Sequence, residues 1–198
     1  MDYLRIPACL LAFSIVATAL TFATKAPSQT AKTEQSMPNL TYPELHDFDF
    51  LVGRWHVHHL RLKERLAGNQ QWDEFEGSSV LMKTMGGFGT FDDNVIELPG
   101  GAYRAMTVRV FDPKDRKWSI WWFDARTPQA AIDPPLRGGF KDGVGTFYSD
   151  DTFKGKSIRV RFIWSQITPT SAHWEQAFSP DGGKTWETNW KMSLEREG

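Results

Sequence analysis

Cysteine is nearly absent from this chain: the single example, Cys9, lies within the first ten residues. A lone cysteine excludes an internal disulfide, and its loss with a leader would also remove any thiol nucleophile or thiolate metal ligand. Charge of one sign is lacking too. The 23 Lys and Arg against 24 Asp and Glu leave a net charge of −1, without the basic footprint of a nucleic-acid binder. There is no Gly-x-Ser-x-Gly elbow for a hydrolase serine. Long apolar runs reduce to one, Ala8–Phe22, shorter than the roughly 20 residues of a spanning helix. Arg5 precedes that run and the small residues Ala23 and Ala26 follow it, the pattern of a secretory signal. The expected organisation is a signal peptide over residues 1–26, a flexible linker over 27–41 and one domain over 42–198. The expected mature product is periplasmic or secreted, begins between Thr24 and Ser28 and has no membrane span; an uncleaved anchor is the alternative.

What the chain has instead is aromatic surface: nine Trp and fourteen Phe, more than a small neutral domain needs for its core. One short helix is expected over Tyr42–Phe50, with Thr41 as N-cap and Pro43 and Glu44 in the first turn. From Gly53 onward helical periodicity is missing, and alternation takes over, broken by turn residues every eight to twelve positions or so. The candidate strands are 54–63, 71–84, 87–97, 103–111, 117–124, 136–141, 144–148, 157–165, 171–179 and 185–195. Leu98-Pro99-Gly100-Gly101, Asp112-Pro113-Lys114-Asp115, Lys141-Asp142-Gly143 and Pro180-Asp181-Gly182-Gly183 supply hairpin chemistry between them. Connections this short make a meander, and closure removes its two edges. The predicted fold is therefore all-β: a roughly ten-stranded antiparallel up-and-down barrel with a short N-terminal helix. Ile158, Val160, Phe162 and Trp164 share one strand face, with Arg159 and Arg161 on the other, solvent side. In the last strand Trp186, Thr188, Trp190, Met192 and Leu194 are placed together, opposite Glu187, Asn189 and Lys191. Between 117 and 124, Trp118, Ile120 and Trp122 take one face and Trp121 and Phe123 the other. Ala125–Pro135 is the longest loop, expected over that strand or over a barrel mouth.

Phe50-Leu51-Val52-Gly53-Arg54-Trp55, Phe111-Asp112-Pro113-Lys114 with Trp118 and Trp122, Gly138-Gly139-Phe140, and Ser179 to Trp186 occur in this order. Together they resemble a family of secreted bacterial domains of unknown function with a lipocalin-like (calycin) barrel, over Phe48–Glu195. The Gly53-x-Trp55 step resembles the opening motif of lipocalins. The resemblance implies an interior cavity for a small apolar or amphipathic guest, and brings no agreed ligand or reaction. It also implies that Trp55 plugs one end, with a basic side chain near the last strand's end across it; Arg196 has the parity for that role. On this reading Trp55→Ala is severely destabilising and Arg196→Ala mild. Ser179-Pro180-Asp181-Gly182-Gly183-Lys184-Thr185-Trp186 also fits the Asp-box pattern, in which Asp181 accepts turn hydrogen bonds and Trp186 packs beneath. A single copy indicates a structural hairpin rather than a propeller blade.

The expected lining of the cavity is Trp122, Phe162, Trp164, Trp174, Trp190 and His59. His59 is a candidate haem ligand as in nitrobindin-like barrels. His56 and His58 share the opposite strand face and have zinc-ligand spacing, with His173 or Glu175 as a third ligand. Neither metal nor haem is the expected cofactor, and none is predicted. If Trp55 and Val57 face inward, so does His59, and Leu60 and Leu62 face out unless a bulge intervenes. Arg104 and Arg109 hold a carboxylate guest if they face inward. The competing reading is a barrel isomerase or hydrolase using His59 or Glu175, with His173 or Asp124 as a partner. A third is an interaction module or homodimer built on the outer Trp121 and Phe123 patch.

Overall fold

The computed structural model describes residues 41–198. The expected signal peptide and linker, and Cys9 with them, fall outside the described residues apart from Thr41. Ten strands run in chain order: β1 Gly53–Leu62, β2 Trp72–Thr84, β3 Gly89–Leu98, β4 Gly101–Asp112 and β5 Lys117–Asp124, then β6 Leu136–Lys141, β7 Val144–Phe153, β8 Lys156–Ser165, β9 Ser171–Ser179 and β10 Glu187–Arg196. Each pairs antiparallel with its sequence neighbour, and β1 pairs with β10, so the sheet closes on itself as an up-and-down barrel. Closure gives every strand a partner on both sides, over only three residues between β5 and β6.

Alternation decides which side chains fill the barrel. The β1 register runs unbroken against both β2 and β10 through Trp55–Arg61. Trp55, Val57 and His59 are therefore inward and buried, while His56 and Leu60 keep the outward parity. The last strand departs from the sequence expectation. A β-bulge shifts its register between Thr188 and Trp190, and one extra residue in a strand reverses every side chain beyond it. Trp190, Met192 and Leu194 line the interior. Trp186 lies outside instead, with its ring 6.0 Å from that of Tyr148 and under the Arg161 guanidinium at 4.4 Å. Asn189, placed outside by simple alternation, is fully buried and accepts from Gln176 Nε2 at 2.8 Å.

The N-terminal helix is two short 3₁₀ turns, Pro43–His46 and Asp49–Leu51, and the first is capped by Tyr42 rather than Thr41, without a side-chain bond. They close one end. Phe48, 1% exposed, sits among Trp118, Phe140 and Phe147 with ring centroids 5.1, 5.2 and 5.8 Å away. The Trp118 indole N–H is shared between the Glu44 carbonyl at 3.1 Å and Asp47 Oδ2 at 3.2 Å. Trp55 donates to the Leu51 carbonyl at 2.8 Å, joining the plug to β1. Gly53 turns the chain between plug and strand at φ +114°, where a β-carbon would also meet the Arg196 guanidinium at 2.9 Å. The other end has no such plug, and there the interior opens. No helix among the described residues is long and apolar enough to cross a membrane.

Candidate ligand cavity

The barrel encloses a cavity of about 280 Å³, just below the range of roughly 300–1,000 Å³ found for ligand pockets. Its apolar wall contains Trp122, Phe162, Trp164, Trp174 and Trp190. These come from β5, β8, β9 and β10, each by the inward parity of its strand. Trp174 is the hub: its ring lies 4.7 Å from Phe162, 6.5 Å from Trp164 and 5.9 Å from Trp190, all tilted or edge-to-face. Trp122, 40% exposed, meets Trp190 edge-on at 6.3 Å and stands toward the open end.

His59 lines the same cavity and is 3% exposed. Its ring stacks on Phe75 at 4.8 Å, and its Nδ1 accepts the Trp190 indole N–H at 3.2 Å. That bond requires an unprotonated Nδ1, so the neutral ring carries its proton on Nε2. Burial pushes the imidazole pKa down to about 4. This environment does not suit a haem ligand. Nδ1 is occupied, and Nε2 lies against Gly77, where a β-carbon would stand only 2.8 Å away.

The polar side of the wall comes chiefly from β3 and β4. Asp92 and Arg109, each 5% exposed at the side chain, form an ion pair at 2.7 Å. Asp92 also accepts from the Thr107 amide at 3.0 Å and from Asn94 Nδ2 at 2.6 Å. Arg109 lies over the Phe48 ring at 5.0 Å, and its Nε has no partner among the described residues. Of the two arginines considered as carboxylate holders, Arg109 lines the cavity and Arg104 does not. Arg104 is outside with Asp93, and Arg159 and Arg161 lie on the outer face over Tyr148 and Trp186.

The sequence-based metal candidates sit elsewhere. His56 and His58 are on the outer face, where His56 Nε2 meets Glu76 at 3.0 Å and His58 lies between Glu76 at 2.9 Å and Glu74 at 3.2 Å. His173 is two strands away, reached from His58 through Ser193. Among the described residues no three His, Cys, Asp or Glu side chains gather to hold a metal. Glu175 faces outward on β9, opposite Lys191, and so does not join His59, which faces inward on β1. Trp121 and Phe123 have the outward parity of β5, and the register aligns Trp121 with Val108, Phe91 and Met82 across four strands, yet Trp121 also borders the cavity. The Asp-box segment is a self-bonded hairpin: Asp181 Oδ1 accepts from Ser179 Oγ and the amides of Lys184 and Thr185, and Trp186 donates to the Gly183 carbonyl at 3.0 Å.

Residues that sequence reasoning passed over surround the open end. Arg61 continues the inward parity of His59 and lies over Trp190 at 4.9 Å. Arg65, in the β1–β2 connection, lies 5.4 and 5.6 Å above Phe153 and Phe178. Arg126 stacks on Tyr103 at 3.6 Å and is paired with Asp124 at 2.6 Å. Asp133 and Pro134 also line the cavity, which places the end of the long β5–β6 connection at the mouth. Only the parity of Arg61 was readable beforehand.

No family model matches the chain, and no curated protein matches it. Solved structures do. An S-type phycobiliprotein lyase, CPES from Guillardia theta, aligns with a TM-score of 0.52 at 12% identity, covering 76% of this chain and 90% of the lyase. Rv2717c from M. tuberculosis aligns with a TM-score of 0.53 at 10% identity, covering 79% and 98%. The closed ten-stranded meander and these likenesses make the fold calycin-like.

Proposed function

We propose that this protein is an exported binding barrel for a small apolar or amphipathic molecule, of the kind its resemblance to secreted lipocalin-like domains implies. The observation that carries the reading is the enclosed aromatic cavity, walled by Trp122, Phe162, Trp174 and Trp190 and open at one end only. Apolar surface of this extent, unfilled by the protein's own side chains, gains stability when a guest removes it from water. A binding role fits better than catalysis, because the titratable groups deepest in the cavity, His59, Asp92 and Arg109, are committed to one another or to the wall. His59 accepts from Trp190, and Asp92 and Arg109 neutralise one another.

The test is titration with N-phenylnaphthylamine, a neutral dye that brightens in apolar surroundings. It should bind the folded protein and quench tryptophan emission, and Trp122→Ala should weaken binding without unfolding the barrel, since that ring is 40% exposed. Trp164→Ala should weaken binding as well, but Trp164 is 3% exposed and its loss also opens the core. A folded protein that leaves the dye dark overturns the reading. Export is tested separately: the exported chain should begin between Thr24 and Ser28, and a full-length N-terminus confined to the cytoplasm would refute it.

A further inference from the structure

We propose that the guest carries an anionic head, a carboxylate or its equivalent, and that Arg61 and Arg65 hold it at the mouth while its apolar body lies between Trp190, Trp174 and Phe162. This deepens the binding-barrel reading and rests on it.

The first observation is that the two guanidiniums are unmatched. Arg61 and Arg65 both line the cavity and are half-buried. Neither has a carboxylate within ion-pair distance among the described residues, in contrast to Arg126, which Asp124 neutralises. The one acid drawn toward Arg65, Glu187, spends an oxygen on the Leu66 amide at 2.7 Å. Each guanidinium stacks on an aromatic face instead, Arg61 on Trp190 and Arg65 on Phe153 and Phe178. Stacking satisfies the flat faces and leaves the N–H rim of each fork available for a planar anion.

The second observation is proximity. Burial first and the neighbouring Arg61 charge second bring the Arg65 pKa down to about 10. Arg126 lies over the Tyr103 ring at 3.6 Å, and Trp190, which carries Arg61, packs against the same cluster as Tyr103. Three cations and a phenol therefore share one side of the mouth, with Asp124 as the carboxylate paired there. An unpaired, partly desolvated charge is costly, and a guest anion relieves that cost.

Two acids also reach the mouth. Asp133 and Asp151 also line the cavity, and burial together with Asp151 holds the Asp133 carboxyl above the usual range. An anion is repelled by this pair and attracted by the guanidiniums. Arg65 is more enclosed than the exposed Asp133, so its compensation is worth more than that of the acids.

The experiment displaces N-phenylnaphthylamine from the folded protein with decanoate, decanol and decylamine, at about pH 7.5 where the acid is ionised. Decanoate should displace the dye at about tenfold lower concentration than decanol, as expected for a charge-assisted contact, and should lose that advantage in high salt. Arg61→Gln with Arg65→Gln should erase the preference, read as the ratio of decanoate to decanol displacing concentrations in the same protein so that any change in dye affinity cancels; Arg65→Lys should retain part of it. Dye that never binds overturns the cavity reading together with this one. Dye that binds in a protein preferring decanol or decylamine to decanoate overturns the anionic head alone. A preference that survives in the double variant overturns the assignment to Arg61 and Arg65.

Discussion

Arg196 shows how much a single side chain near a chain's end can hold. Its guanidinium donates to the carbonyls of Phe50 at 2.6 Å, Val52 at 2.7 Å and Pro169 at 2.7 Å, with its face 4.3 Å above Trp55. The family resemblance, with parity in its support, placed it over Trp55; the three carbonyls were not readable, because they belong to an irregular plug and a distant turn. The mild cost expected for Arg196→Ala therefore rises to about 1.5–3 kcal/mol, the scale of hydrogen bonds from a charged donor. Arg196→Lys should not restore it, since a point charge cannot reach all three acceptors. Trp55→Ala should cost about 3–5 kcal/mol, and the double variant less than the sum because the two groups touch. Urea melts decide this, and strict additivity would contradict the contact. His59 makes a second residue-scale prediction. Its folded pKa of about 4 lies below the ordinary histidine value. Below about pH 6.5 the unfolded chain therefore takes up a proton that the folded one refuses. Its contribution to stability is full above that pH and is lost progressively down to about pH 4, by up to about 3 kcal/mol. Asp47, raised to about 6 by burial, titrates with the opposite sign over the same window. The clean measurement is consequently the difference between wild type and His59→Gln: the variant should lose less stability on acidification, and parallel curves would refute the assignment.

At the scale of elements, strand existence and order were legible because period-two alternation and turn chemistry agree along most of the chain. The exceptions are where one residue resets the phase. Asn189 is inserted at the β10 bulge, and nothing in Thr188-Asn189-Trp190 announces it. Its signature is tertiary: a fully buried amide satisfied by Gln176 of the neighbouring strand. Trp186 was consequently assigned to the wrong side, although its motif was read correctly as a closed hairpin. The Asp-box bonds are local, spanning at most a few residues, and local bonds are what sequence reasoning sees best. The β1–β2 connection was opaque for the opposite reason. Leu66 is tied to Glu187 at the start of the neighbouring β10, and Arg65 beside it lies over Phe153 and Phe178. No spacing rule relates those residues. The half of the site built from strand faces could be listed in advance, while the half built from connections could not.

For the molecule as a whole, closure explains why one end binds and the other does not. A barrel of this size has room for either side chains or a guest, and here the two are divided lengthwise. The closed end spends Phe48, Leu51, Trp118 and Phe147 on its own packing, each at most 3% exposed. The open end leaves Trp122 at 40% and three guanidiniums around Tyr103. Those mouth residues come from β1, β4, β5 and two connections far apart in sequence, so their convergence needed the closed topology to become visible. The plug itself precedes the first strand, and its contribution can be measured by where the chain starts. A chain starting at Thr41 keeps Phe48 and the carbonyls that Trp55 and Arg196 use, and should melt cooperatively. One starting at Val52 loses the Phe48 ring, worth about 3–5 kcal/mol if it behaves as a Phe→Ala deletion. It also strips the Leu51 and Phe50 carbonyls from Trp55 and Arg196, adding about 1–3 kcal/mol for each partner left unsatisfied. Against a total domain stability of about 5–15 kcal/mol, that sum leaves little or nothing. The shorter chain should lose its near-ultraviolet tryptophan dichroism and its dye binding together, and equal melting temperatures for the two chains would show that the barrel closes without its plug.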